Sequence, residues 1–319
     1  MNKFIYILSN EINYSKLICD DAGPGYALSM NWQYVYINQI DILHPGLIYI
    51  IDNRISEKEC KALSNVFNEN ENILFLLKIV DPYTENKNNF YYRWLNENKN
   101  INNCRIFTVY EPTELTQEII VSHNKPYYYI PYPYLKEKEL PLSNINKRKN
   151  RIIISGALNL EVYPYRTTIW QNNTRSIGRL FFFSTLKHPG YAELSFTNFN
   201  HNIIRSDFIK YLGKSKFMLL CSSRCKIEFL KYHECAYSGC IPIGIPPNSF
   251  PEEIKKLFYY INPLAILNDC IKLLFNWSKN NHIDIIKKYR KFLDEERNPQ
   301  TLNAQLLNQI QVEDPFYPT

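Results

Sequence analysis

Short runs rich in Ile, Tyr and Phe alternate with helical patterns along nearly the whole chain, and few architectures satisfy that rhythm. FIYILS at 4–9 and LIYIID at 47–52 read as strands closed by polar residues. Ser56 and Glu59 then have the spacing of a capping box, with Cys60, Leu63 and Phe67 at helical intervals. ILFLLKIVD at 73–81 is apolar without alternation, as expected of a strand covered on both faces. RIFTVYEP at 105–112 and YYYIPYPY at 127–134 complete the first series. Strand, helix, strand in this order implies a parallel, doubly wound sheet.

Composition turns polar over 135–150, where Lys147, Arg148, Lys149 and Arg151 read as a solvated linker. A second series follows: a strand at 151–156, a broken helix from Pro164 to Phe183 and a strand at 216–223. A helix over 227–239 comes next with Gly239 as its C-terminal cap, then a strand at 240–245 and a helix opened by Pro251. From Pro263 the pattern is two or three helices. The expected fold is α/β, with two Rossmann-like doubly wound domains facing a central cleft. The first spans 1–140, the second 150–298, and 299–319 form a helical tail. Such sheets bind ligands beyond the carboxyl ends of their strands.

Several function classes are disfavoured. The net charge of +6 is mild and dispersed, whereas nucleic-acid binders concentrate positive charge on one face, so no nucleic-acid partner is expected. No segment approaches the roughly 18–20 apolar residues that span a bilayer. FIYIL is too short for a signal peptide, so the expected location is cytoplasmic, with peripheral attachment to the inner face of a membrane left open. The eight cysteines are scattered without a CxxC pair and read as buried thiols; no metal ligand set is expected. There is no P-loop, nucleophile elbow or GxGxxG fingerprint.

The stretch Lys226–Phe250 places a polar turn, a short helix bearing Glu234, a glycine cap, a strand and a proline-rich exit within 25 residues. An exposed helix amino end suits a diphosphate, and a carboxylate two turns on can accept hydrogen bonds from ribose hydroxyls. Lys226 and Lys231 could neutralise phosphate charge. The same pattern is also that of an amphipathic helix with a solvated glutamate.

LKYHECAYSGCIPIGIPP at 230–247 resembles the nucleotide-sugar-binding stretch of GT-B glycosyltransferases. SGALNLEVYPYR at 155–166 and KHPGY at 187–191 resemble matching segments of the bacterial group 1 glycosyltransferases. The resemblance implies that Glu234 binds the donor ribose, Ser155 and Gly156 approach the diphosphate, and Arg166 pairs with its oxygens. It also puts His188 and Tyr191 at the donor. One departure is Lys226, at a position eight before Glu234 where many retaining members carry a second glutamate, so the stereochemical outcome stays open. The absence of any Asp-x-Asp sequence favours metal-independent transfer from a nucleoside diphosphate sugar, which is a co-substrate, so that no cofactor is needed. Acceptors of glycan, lipid or small-molecule type are expected, as in polysaccharide biosynthesis. A general base for an inverting reaction would come from Asp21, His44 or Glu111 in the first half. The alternative is a nucleotide- or glycan-binding protein of the same fold without turnover.

Overall fold

The computed structural model describes residues 3–40, 43–80, 89–174, 181–189, 201–276 and 279–313. They form two compact units. The first takes the chain up to Pro133 and again from Pro299; the second takes the stretch between.

In the first unit the elements run β1 Phe4–Leu8, α1 Pro24–Ser29, β2 Gln33–Tyr36, β3 Ile48–Ile51 and α2 Glu57–Glu69. They continue as β4 Leu74–Ile79, α3 Phe90–Glu97, β5 Cys104–Thr108, α4 Glu114–His123 and β6 Tyr127–Tyr129. The strands make a parallel sheet in the order β2-β1-β3-β4-β5-β6. Every residue of β4 is buried, as its unbroken apolar run implied. Phe75 and Leu77 pack with Leu63 and Phe67 of α2 and Trp94 of α3. On the opposite face Tyr6, Tyr26 and Trp32 meet with ring centroids 5.6–6.1 Å apart.

The capping box at α2 forms: Glu59 N–H donates to Ser56 Oγ at 3.2 Å, and Ser56 N–H to Glu59 Oε2 at 3.0 Å. The same carboxylate accepts from Ser9 Oγ (2.5 Å) and Asn10 N–H (2.7 Å), which ties the loop after β1 to the helix. Two local readings change. The AGPGY segment contains a helix, α1, with Pro24 at its first position rather than only a flexible turn. The strand at 127–134 stops at Tyr129, because Pro131 and Pro133 have no N–H for a ladder.

The second unit runs β7 Lys149–Ser155, α5 Pro164–Thr174, β8 Phe183–Leu186, α6 Arg205–Leu212 and β9 Ser215–Leu220. Then come α7 Leu230–Ser238, β10 Ile241–Gly244, α8 Glu252–Lys255, α9 Ile266–Asn276 and α10 Lys279–Glu296. Its parallel sheet has the order β10-β9-β7-β8. Of the broken helix expected up to Phe183, the described parts are Pro164–Thr174 and a helical turn at 181–182; FSTL, from Phe183, is a strand paired with β7. Gly239 does cap α7, in a left-handed conformation at φ 66°. Arg148, read as a solvated linker residue, instead donates to the carbonyls of Ser238 (2.7 Å) and Gly239 (2.8 Å), covering the carboxyl end of that helix. Burial pushes the Cys235 thiol well above its ordinary range, as expected of a packing residue.

The last helix, α11 Pro299–Glu313, belongs to the first unit. Asn303 accepts from the Trp32 indole (2.5 Å) and donates to the Met30 carbonyl (2.9 Å). The Gln309 amide accepts from Tyr129 N–H (3.1 Å) and donates to its carbonyl (2.9 Å), so one side chain satisfies both backbone groups of an edge residue. Among the described residues no helix is long and apolar enough to cross a membrane.

Candidate functional site

β7 is the first strand of its sheet. The chain adds β8 on one side and then crosses to β9 on the other, so the connections diverge at the carboxyl ends of β7 and β9. Open α/β sheets bind ligands at such a switch point. β7 ends on Ser155, and Gly156 turns the chain at φ 96°, a conformation that costs glycine little. A Cβ there would lie 3.3 Å from Arg166 Nη1, so the glycine also leaves room for a guanidinium. Arg166, in the first turn of α5, is buried, donates from Nη2 to the Ala157 carbonyl at 2.6 Å, and lies 4.2 Å from the centroid of the Tyr163 ring. Turn and arginine hold each other in place.

A cavity of about 300 Å³ opens at this point, lined by Gly156, Ala157, Trp170, Thr185, Lys187 and His188 among others. His188 follows β8. Burial, with the positive charges of Lys231, Arg166 and His201, pushes its imidazole down to about 4.

The α7 helix starts at Leu230, three residues later than its pattern suggested, because Ser223 and Lys226 adopt left-handed conformations (φ 62° and 54°) and turn the chain first. Its N-cap, Phe229, has no side chain to satisfy the amides of the first turn. Glu228, just before it, is fully buried. Its Oε1 accepts from His233 Nε2 at 2.8 Å, and its Oε2 from Arg297 Nε and Nη2, both at 3.2 Å. Burial alone would raise its pKa; the Arg297 charge and the His233 hydrogen bond outweigh that and hold the carboxyl below its ordinary range.

Glu234 is not turned out into water. Its side chain is 19% exposed, and Lys231 Nζ lies 2.9 Å from Oε2. That ion pair lacks hydrogen-bond alignment, so Oε2 keeps its accepting capacity among the described residues. Lys231 Nζ also sits 4.1 Å from the Phe208 ring centroid.

Gly156, Arg166, His188, Lys231 and Glu234 therefore belong to one neighbourhood. Ser155 is buried at the strand end, and its Oγ has no partner among the described residues. Lys226 is exposed in its turn, with its carbonyl accepting from Asn248 N–H at 2.9 Å, and none of the contacts above involves its side chain. Tyr191 lies outside the described residues. Among those residues no group of three His, Cys, Asp or Glu could hold a metal ion.

The three candidate bases fall in the first unit. Asp21 is buried and accepts from Ser29 Oγ at 3.3 Å. Glu111 follows β5, at the carboxyl edge of that sheet. His44 precedes β3, at the opposite edge, and is exposed; its backbone N–H donates to Tyr49 OH at 2.9 Å. An early loop did not bring it to the carboxyl ends.

Sequence reading missed a polar cluster in the same unit. Lys78 Nζ donates to Tyr6 OH (2.7 Å) and lies 3.7 Å from the Tyr26 ring centroid; Tyr6 OH donates to Asp52 Oδ1 (2.8 Å), and Tyr14 OH to Asp52 Oδ2 (3.4 Å). The available signal was a lysine inside a strand apolar on both faces, since a lysine is almost never buried without partners.

No family model and no curated protein matches the chain. Among solved structures, the N-terminal domain of Candida albicans trehalose-6-phosphate phosphatase is similar at a TM-score of 0.51 and 12% identity, over 90% of this chain and 75% of that one. S. aureus TarM, in a complex with fondaparinux, α-GlcNAc-glycerol and UDP, superposes at a TM-score of 0.47 and 16% identity, over 84% of this chain and 56% of that one. At these identities the likeness is one of fold: two Rossmann-like α/β units in one chain, as in the GT-B class.

Proposed function

We propose that the chain is a glycosyltransferase that takes its sugar from a nucleoside diphosphate donor held on the second unit. One observation carries this reading: Gly156, Arg166, His188, Lys231 and Glu234, drawn from three segments, share the switch point of the second sheet. The roles follow from their chemistry. The Gly156 turn lets backbone approach a diphosphate, and Ser155 Oγ is a buried hydroxyl without a partner among the described residues. Arg166 offers a planar fork to two oxygens, and Lys231 a point charge. The uncapped amino end of α7 adds backbone N–H groups. Glu234 accepts from ribose hydroxyls.

In transfer, the bond from the anomeric carbon to the diphosphate oxygen breaks while the acceptor oxygen attacks that carbon and gives its proton to a carboxylate base such as Asp21 or Glu111, or to the leaving diphosphate. Arg166, Lys231 and the α7 amides stabilise the departing charge in place of a divalent cation. The acceptor is a glycan, lipid or small molecule, and peripheral membrane association would suit a lipid acceptor.

The test is a melting-temperature screen of the full chain against UDP-, GDP-, dTDP- and CMP-sugars, since a ligand of the native state raises its melting point. For the donor found, Glu234→Ala is expected to weaken binding by about 1–3 kcal/mol through loss of charge-assisted hydrogen bonds. Arg166→Ala is expected to weaken a nucleoside diphosphate more than the nucleoside. Unchanged binding in the first variant, or equal weakening in the second, would remove that residue from the site.

A further inference from the structure

The cavity at the ends of β7 and β8 holds an imidazole among positive charges. His188 lines it together with Gly156 and Lys187. Arg166 faces this group from α5, and Lys231 from α7, with Glu234 engaged by Lys231. His201 is also near, its Nε2 2.7 Å from the Lys187 carbonyl. Among the described residues named here cations thus outnumber carboxylates, and Glu234 already has a lysine.

We infer that His188 takes up a proton when the diphosphate arrives, so that donor binding in this cavity is proton-coupled. The inference rests on the donor reading above. With the cavity empty, an imidazolium would add a further positive charge to Arg166, Lys231 and Lys187 in a poorly solvated place. Burial and the charges of Lys231, Arg166 and His201 keep the ring neutral down to about pH 4. Two phosphate charges reverse the local sign and bring the ring back toward its ordinary value of about 6.5. The imidazolium then presents an N–H to a phosphate oxygen, a stronger contact than a neutral ring makes. The site would thereby distinguish a charged diphosphate from a neutral sugar or a nucleoside of the same shape.

The experiment is calorimetry of the full chain with UDP-glucose and GDP-mannose, whose diphosphate diesters carry no group that titrates between about pH 5 and 8. Affinity is expected to rise about tenfold from pH 7.5 to 5.5, by linkage to one proton. Heats measured in buffers of different ionisation enthalpy should show uptake approaching one proton at pH 5.5. His188→Gln should lose both effects. Uptake that survives in His188→Gln overturns the inference. So does pH-independent binding without uptake in the wild type, which leaves the donor reading standing. Failure of both probes to bind at any pH overturns the inference, and the donor reading falls with it if no sugar nucleotide of the melting screen binds either. If the variant does not fold, uptake in the wild type still decides the matter.

Discussion

Lys78→Met is expected to remove a dependence of the first unit's stability on pH that reaches about 1.4 kcal/mol per pH unit between pH 7 and 10.5. Lys78 is 1% exposed in the middle of the sheet. Burial pushes its ammonium from 10.5 down to about 7, against the opposing pull of Asp52. The sign follows from proton counts. Between pH 7 and 10.5 the unfolded chain binds a proton that the folded one does not, so the wild type gains stability as pH rises through that window. The slope reaches about 1.4 kcal/mol per pH unit. Below pH 7 the lysine is charged in both states, and the cost of burying it is fully present. Methionine removes the slope, and with it a cation near the buried Asp52, one hydrogen bond to Tyr6 and a contact with the Tyr26 ring. Urea denaturation of wild type and variant at pH 6, 7.5 and 9 measures this. A variant destabilised equally at all three values, beside a flat wild type, would mean that Lys78 is not the strained group.

The second large effect is a loss of stability. Glu228→Gln should destabilise the second unit by about 3–5 kcal/mol, because it leaves Arg297 buried without a counter-charge. At roughly 2–4 °C per kcal/mol, its melting transition should fall by about 10 °C. Glu228 has a depressed folded pKa, so the stability it contributes is present above the unfolded carboxyl value and is lost as pH falls below it. The difference between wild type and variant should therefore shrink toward pH 3. Combining Glu228→Leu with Arg297→Met should cost less than the two single changes summed, since neither charge is then stranded. Additivity in that cycle, or a Glu228→Gln variant melting with the wild type, would contradict the buried pair seen here.

These residues also mark where the sequence was legible. Periodicity located β1, β3, β4, β5, β7, β9 and α2, because each buries a face whose pattern is written in consecutive residues. It missed β8, where Phe181, Phe182 and Phe183 run on from a helical stretch and pairing with β7 alone chooses the strand. It missed β2 as well, a short strand with no fully buried residue. In the site, Gly156, Arg166 and Glu234 stood out as a turn glycine, a charge after a proline and a carboxylate on a short helix. Trp170 and Lys187 did not, because only the tertiary fold brings them to the cavity, nor did His201, which meets the Lys187 carbonyl. Glu228 shows the same limit most clearly. It lies 69 residues from its partner Arg297, and nothing local distinguishes it from a solvated glutamate.

A crystal structure of the chain with its nucleoside diphosphate would put the donor site to the strictest test. The expected result has phosphate oxygens about 2.7–3.2 Å from the Gly156 amide and the Arg166 guanidinium, with ribose hydroxyls on Glu234. A nucleotide bound on the first unit, or phosphates held elsewhere while Glu234 still faces only Lys231, would contradict it.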